Sequence, residues 1–160
     1  MREKKIDLSQ KTPEEQKEYY KNRMLQYLSR RRTSWEIQEY LEKLGCSKEM
    51  AEELTSFAEN YGFADDEEYV RCYIRDASSL KHRSRRRIRY DLLQKGVGRE
   101  IIDQLMEEEA PSEEETIRWL VTHRLSDPSD PEACRRMGAY LQTHGFSYEL
   151  IQHVMKELNE

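Results

Sequence analysis

From about residue 13 onward, apolar side chains recur at helical spacing with hardly a break. Tyr20, Met24, Leu25 and Leu28 share one helix face, as do Tyr69, Tyr73, Ala77 and Leu80, and later Ile117, Leu120, Val121 and Leu125. Strict alternation of the kind a half-buried strand needs is absent. Each stripe is short and narrow, so no helix here is stable alone and the helices must pack on one another. The pattern predicts helices over 14–31, 34–44, 47–61, 66–80, 84–95, 98–108, 112–125, 131–144 and 147–158. The polar, aperiodic residues 1–12 read as a loose terminus. The acidic and proline-bearing stretches at 107–112 and 126–131 read as loops.

Three glycines reveal a repeat. Leu41, Leu92 and Leu141 lie four residues before Gly45, Gly96 and Gly145; Cys46, Val97 and Phe146 follow them directly. Glu49, Glu100 and Glu149 come four residues after, and Leu54, Leu105 and Val154 nine after; Ile37, Ile88 and Met137 stand eight before. The glycines are 51 and 49 residues apart, an internal period of about fifty. Each window has the physics of a helix–turn–helix corner. Glycine ends one helix in the left-handed conformation, the next apolar residue folds back onto the last turn, and Ser47, Gly98 or Ser147 caps the following helix. Acid in its first turn favours the helix dipole. With a preceding helix, each repeat becomes a three-helix unit. The predicted fold is all-α, an elongated tandem array of three such units: 13–63, 64–110 with a basic helix, and 111–160, after a flexible 1–12. The six leucine and valine positions above are its predicted core.

Composition narrows the class. Of 160 residues, 37% are charged and 36% hydrophobic, and the six glycines and four prolines are too few for a turn-rich β fold. No apolar run approaches a membrane span, and the start carries no signal-peptide pattern, so a cytoplasmic protein is expected. Cys46, Cys72 and Cys134 are widely spaced, which fits buried thiols and neither a zinc site nor a disulfide framework.

The net charge of −5 hides an uneven distribution. Residues 71–95 hold nine bases (Arg71, Arg75, Lys81, Arg83, Arg85, Arg86, Arg87, Arg89 and Lys95) against Asp76 and Asp91, whereas 103–115 holds seven acids and no base. A charge run is ordinarily a solvated helix face. Here, with Ser84 as N-cap, Arg85, Arg86 and Arg87 occupy a first helical turn, where the dipole disfavours cations by roughly 0.3–1 kcal/mol each. The corresponding turn after Ser34 carries Glu36, as stability prefers. Cations around a helix start form an anion site, so the nine bases are the candidate binding residues. Arg30–Arg32 differ, because they are expected to end a helix, where cations suit the dipole. Asp65 to Glu68 open a helix as caps, and Tyr69 and Tyr73 pack in the core although tyrosines can stack on bases. The four histidines have no ligand spacing, and no nucleotide loop or nucleophile motif occurs. No catalytic residue, metal or cofactor is expected.

The stretch from Tyr61-Gly-Phe-Ala-Asp-Asp to Arg71, continuing through Arg86-Arg-Ile-Arg-Tyr-Asp to Gly96-Val97, resembles the core signature of the RecX family of recombination regulators. The segments 25–34 and 145–151 resemble that family's flanking motifs, so the resemblance covers about 20–158 and all three repeats. His82-Arg83-Ser84 stands where the family often carries Gly-Pro, Trp35 where it has a small polar residue, and Cys46 where it has an aromatic or aliphatic one. The resemblance implies a non-enzymatic modulator of homologous recombination, DNA repair and the SOS response. Such proteins lodge in the groove of the RecA nucleoprotein filament and restrain ATP hydrolysis, strand exchange and coprotease activity. The implied partner is RecA, with single-stranded DNA as a further contact, no membrane, and a monomeric state. The competing reading is an autonomous helical array that binds nucleic acid with no obligate RecA partner.

Overall fold

The computed structural model describes residues 7–160. The first half of the expected loose terminus, 1–6, lies outside the described residues. Among those described there are nine helices and no strand. They are α1 (Pro13–Tyr27), α2 (Ser34–Lys43), α3 (Lys48–Asn60), α4 (Asp66–Ser79), α5 (Arg85–Gln94), α6 (Arg99–Glu109), α7 (Glu113–Arg124), α8 (Pro131–Thr143) and α9 (Tyr148–Leu158).

Two predicted details are corrected. The first helix ends at Tyr27, so Arg30–Arg32 lie beyond it. Arg32 nevertheless serves that terminus: its Nε donates to the Tyr27 carbonyl at 3.3 Å and its guanidinium sits 4.1 Å from the Tyr27 ring centre. The N-cap of α2 is Thr33, not Ser34. Thr33 and Glu36 form a capping box, in which the Thr33 hydroxyl accepts from the Glu36 amide and the Glu36 carboxylate accepts from the Thr33 amide.

The chain forms two compact units. One runs through Tyr69 and takes in Lys95–Val97; the other holds Val70–Gln94 and Gly98–Glu160. The first has a core of Met24, Ile37, Leu41, Ala51, Leu54 and Ala58. In the second, Ile117, Leu141, Ile151 and Val154 share a core, and Ile74, Ile88, Leu92, Ile102 and Leu105 are buried. All six leucine and valine positions picked from the repeat are at most 1% exposed. Leu80 is not part of this set. It lies past the end of α4 and is 74% exposed.

The corner glycines adopt the left-handed backbone that the repeat demands, with φ of 105° at Gly45, 74° at Gly96 and 90° at Gly145. Cys46 and Phe146 donate their amides to the Leu41 and Leu141 carbonyls, both at 3.1 Å, and their side chains are buried. A second recurring device appears once in each unit. In the first, the N-cap hydroxyl of Thr33 donates to the Lys95 carbonyl, just before Gly96, at 2.7 Å. In the second, the N-cap hydroxyl of Ser84 donates to the His144 carbonyl, just before Gly145, at 3.0 Å. A helix start is thereby fastened to the glycine corner of the following repeat. Trp35 in one joint corresponds to Arg86 in the other, Glu36 to Arg87, and Lys95 to His144.

Candidate functional site

Ser84 organises the basic helix. Its hydroxyl accepts from the Arg87 amide at 3.1 Å and its carbonyl accepts from the Ile88 amide at 3.0 Å, which makes it the N-cap of α5. Arg85, Arg86 and Arg87 therefore fill a first turn that contains no acid.

The fold sorts the nine candidate bases into three groups. Four of them meet α6 and the residues after it. Arg71 lies 3.7 Å from both Glu108 and Glu109, and Arg75 lies 3.3 Å from Glu109. Arg89 pairs with Asp103. Arg85 donates to the Pro111 and Ala110 carbonyls at 3.1 and 3.2 Å and stands 3.6 Å from Glu107. The separate acidic and basic blocks of the sequence thus neutralise each other in space. Lys95 belongs to the first unit, where its Nζ is 3.6 Å from the Glu36 carboxylate.

The remaining four, Lys81, Arg83, Arg86 and Arg87, line a groove of about 680 Å³ in the second unit. Its other residues include Tyr90 and, from the α8–α9 corner, Tyr140, His144 and Phe146. No Asp or Glu lines it. Arg83 and Arg87 both reach past the groove to Asp91, at 2.9 and 3.0 Å, so two cations share one carboxylate. The Tyr73 hydroxyl donates to that carboxylate at 2.7 Å and accepts from Arg83 at 2.9 Å. Among the described residues Lys81 and Arg86 have no side-chain hydrogen bond or ion pair.

Planar surfaces stand beside these charges. Tyr90 is 57% exposed. The Tyr140 and His144 rings lie 4.0 Å apart, and the Arg124 guanidinium is 4.9 Å from the Tyr140 ring centre. His82, at the groove edge, takes a left-handed backbone with φ of 49° and stacks on Trp119 at 3.5 Å, while Trp119 also stacks with His123 at 4.0 Å. Burial against Trp119, followed by the nearby charges of His123 and Arg124, lowers the His82 pKa. Tyr69 and Tyr73 are half-buried, and burial pushes each hydroxyl up to about 12, so both behave as packing residues. Nothing local in the chain marks Tyr140, His144 or Trp119 as part of the site. The register was the available signal, since His144 is the repeat counterpart of Lys95.

The acidic start of α4 is structural, as expected for caps. Asp65 accepts from the Glu68 amide at 3.2 Å, and Asp66 accepts from the Ser34 amide at 2.9 Å. A trio unseen in the sequence, Glu114, His153 and Glu157, has ligand types that could hold a metal. The Arg118 guanidinium already bridges both carboxylates at 2.7 and 2.8 Å, and it offsets one of their two charges. Among the described residues no helix is long and apolar enough to cross a membrane.

Comparison with known proteins agrees with this architecture. The RecX second three-helix domain matches residues 65–106, which contain α4, α5 and most of α6. Regulatory protein RecX of Caldanaerobacter subterraneus subsp. tengcongensis is 32% identical over 138 residues, covering 84% of this chain and 68% of that protein. Regulatory protein RecX of Clostridium botulinum (strain Eklund 17B / Type B) is 26% identical over 132 residues, and the match spans 61% of its length. The crystal structure of RecX from Lactobacillus salivarius has a TM-score of 0.76 with 22% identity, covering 91% of this chain and 98% of that one. That last likeness is one of fold.

Proposed function

The chain belongs to the RecX family of regulatory proteins, and from that premise we propose that it is a non-enzymatic, cytoplasmic, monomeric regulator that binds the RecA–DNA filament. Bound there, it restrains RecA ATPase, strand exchange and coprotease activity. The observation that supports this most is the placement of Arg85, Arg86 and Arg87 in the first turn of α5 beside a groove with no carboxylate in its lining. Folding alone favours acids at that turn. Arg71, Arg75 and Arg89 extend the basic surface of the second unit, with their charge partly neutralised by internal acids, and Lys95 adds a cation beside Glu36 in the first unit.

The test is RecA ATPase turnover on single-stranded DNA with and without the protein. The parent chain is expected to slow turnover, and the variant Arg86→Glu/Arg87→Glu/Arg89→Glu to lose most of that effect. Its melting point should move little, because the pairs it breaks with Asp91 and Asp103 involve exposed arginines and are worth about 0.2–1 kcal/mol each. A variant that restrains RecA as well as the parent does would leave α5 a solvated face and remove this surface from the function.

A further inference from the structure

We propose that Glu114, His153 and Glu157 in the third repeat form a binding site for a divalent transition metal of the zinc type. The ion takes the place of the Arg118 guanidinium and clasps α7 to α9. None of these four residues lines the basic groove or enters the regulator reading.

Each repeat ties its first helix to its third through a cation. In the first repeat Lys17 on α1 meets Glu53 on α3 at 2.5 Å, and in the second Arg71 on α4 meets Glu108 on α6 at 3.7 Å. In the third, Arg118 on α7 meets Glu157 on α9 at 2.8 Å. The first repeat shows that one cation and one acid suffice for the tie. The third carries more. Glu114 also meets Arg118 at 2.7 Å, and His153 stands where the other repeats have Glu53 and Gln104. One guanidinium against two carboxylates leaves the cluster negative, beside an imidazole whose Nε2 faces both acids. The second acid and the imidazole add nothing that the tie requires, whereas both are ligand types for a metal.

The geometry fits such an ion. His153 and Glu157 are four residues apart and so share one face of α9, the spacing by which a helix presents two ligands to one metal. The His153 Nε2 lies 3.1 Å from the Glu157 carboxylate and 3.8 Å from that of Glu114. A tetrahedral ion with bonds of about 2.0–2.1 Å holds its ligand atoms roughly 3.3–3.4 Å apart, between those two values. All three ligand atoms lie within 4.8 Å of one another. Ile117 and Val154 are fully buried in the core that α7 and α9 share, so the backbones beneath the ligands are fixed. The cluster itself is open to solvent, and water completes the coordination. One imidazole nitrogen with two carboxylate oxygens favours a zinc-type ion over Mg²⁺ or Ca²⁺, which take oxygen ligands alone and more of them. Arg118 is the competitor, because a guanidinium and a dication repel each other at the same two carboxylates.

The experiment titrates Zn²⁺ into the full chain, first stripped with a chelator, against a chromophoric competitor. The parent is expected to bind one ion. His153→Ala, Glu157→Gln and Glu114→Gln should each weaken binding at least about tenfold, a loss that even outer-shell changes produce. Arg118→Met, which removes a positive charge a few ångströms from the ion, should tighten binding by about tenfold. Cys72→Ser/Cys134→Ser, which removes the two thiols that are not fully buried, should bind like the parent. In thermal melts Zn²⁺ should raise the melting point of the parent and leave that of His153→Ala unmoved, since an ion held only by the folded chain stabilises it. The same melts without metal show that each variant folds, as expected for exposed side chains. Mg²⁺ at equal concentration should neither compete nor stabilise. Absence of Zn²⁺ binding by the parent would overturn the site, as would Zn²⁺ held equally well by His153→Ala or lost with the cysteines. Equal competition by Mg²⁺ would overturn it in favour of a diffuse acidic surface. An Arg118→Met chain that binds no tighter would show that the ion does not replace the guanidinium, and the proposal would fall with that exchange.

Discussion

The joint at Thr33 and the joint at Ser84 perform the same mechanical task with opposite chemistry. Each fastens a helix N-cap to the carbonyl before a left-handed glycine, at 2.7 and 3.0 Å. At Thr33 the neighbouring positions follow the rules of stability: a capping acid, paired cations and an aromatic ring over the glycine. At Ser84 those rules are broken at successive positions, and the result is an open, basic groove. Because the fastening is shared, it cannot account for the difference. The residues that differ are those released from folding, and they are where function is to be sought.

The sharpest test of this comparison is steric. Both Gly96 and Gly145 need the left-handed backbone, so alanine at either costs about 1–2 kcal/mol. At Gly96 the added Cβ also overlaps the Trp35 ring, whereas at Gly145 it meets only the end of the short Ser84 side chain at 2.9 Å. Overpacking adds about 1–3 kcal/mol, so Gly96→Ala should cost clearly more than Gly145→Ala in urea unfolding. Trp35→Ala placed on Gly96→Ala should recover the excess. Equal costs at the two glycines would mean that Trp35 yields freely and that the first joint is not closed by it.

Next in size is an exchange of character. Arg86→Trp gives the second joint the ring that its counterpart carries. It should fill the groove and weaken the restraint of RecA ATPase by about tenfold, or 1.4 kcal/mol. Melting should stay close to the parent's, because the Ser84 bonds are untouched. Undiminished restraint would show that the groove does not carry the regulation.

Much of this architecture is legible without coordinates. The glycine windows set the corners, the buried leucines and the period, because local backbone geometry and burial leave a direct mark on residue type. Helix starts are also readable, although at Thr33 the reader must choose between two adjacent hydroxyl residues, and only the hydrogen bond to Glu36 decides it. The candidate site is half legible. Sequence shows that residues 71–95 are basic, yet not that Arg71, Arg75, Arg85 and Arg89 spend charge on α6 while Lys81 and Arg86 spend none. That sorting depends on which faces of α4, α5 and α6 meet, a tertiary fact with no local signature. The opposite wall of the groove is more than fifty residues distant in sequence, and Tyr140 and His144 look like ordinary helix-end residues until the α8–α9 corner is folded against Ser84.

A smaller effect separates the joints by charge alone. Arg86→Glu puts acid into the first turn of α5 and breaks no ion pair, so it should stabilise the chain by about 0.3–1 kcal/mol. Glu36→Arg at the first joint should do the opposite and by more. It removes the capping acceptor for Thr33 and sets a cation beside Lys95 and Arg32. Thermal melts at low salt read both. Destabilisation by Arg86→Glu would show that the arginine turn serves the fold after all.

The smallest effect is one of pH, and it should be confined to the second unit. All four histidines, His82, His123, His144 and His153, lie there, and the first unit has none. His82 is held below the ordinary histidine pKa of 6.5, first by burial against Trp119 and then by His123 and Arg124. Lys81, Arg83, Arg86 and Arg87 share its groove and carry the same sign. The unfolded chain therefore takes up a proton near 6.5 that the folded chain still refuses. The stability His82 contributes is complete above that pH, declines as pH falls toward its folded pKa, and changes no further below it. Hydrogen exchange from pH 7 down to about 5.5 should show falling protection around His82 and α7, with core amides of the first unit unchanged once the intrinsic rate is removed. In an NMR titration His82 should protonate below 6.5 in the parent and move back toward it in Trp119→Ala. A His82 that titrates at or above 6.5 in the free protein would mean that the stack with Trp119 is loose in solution and that this edge of the groove is not preformed.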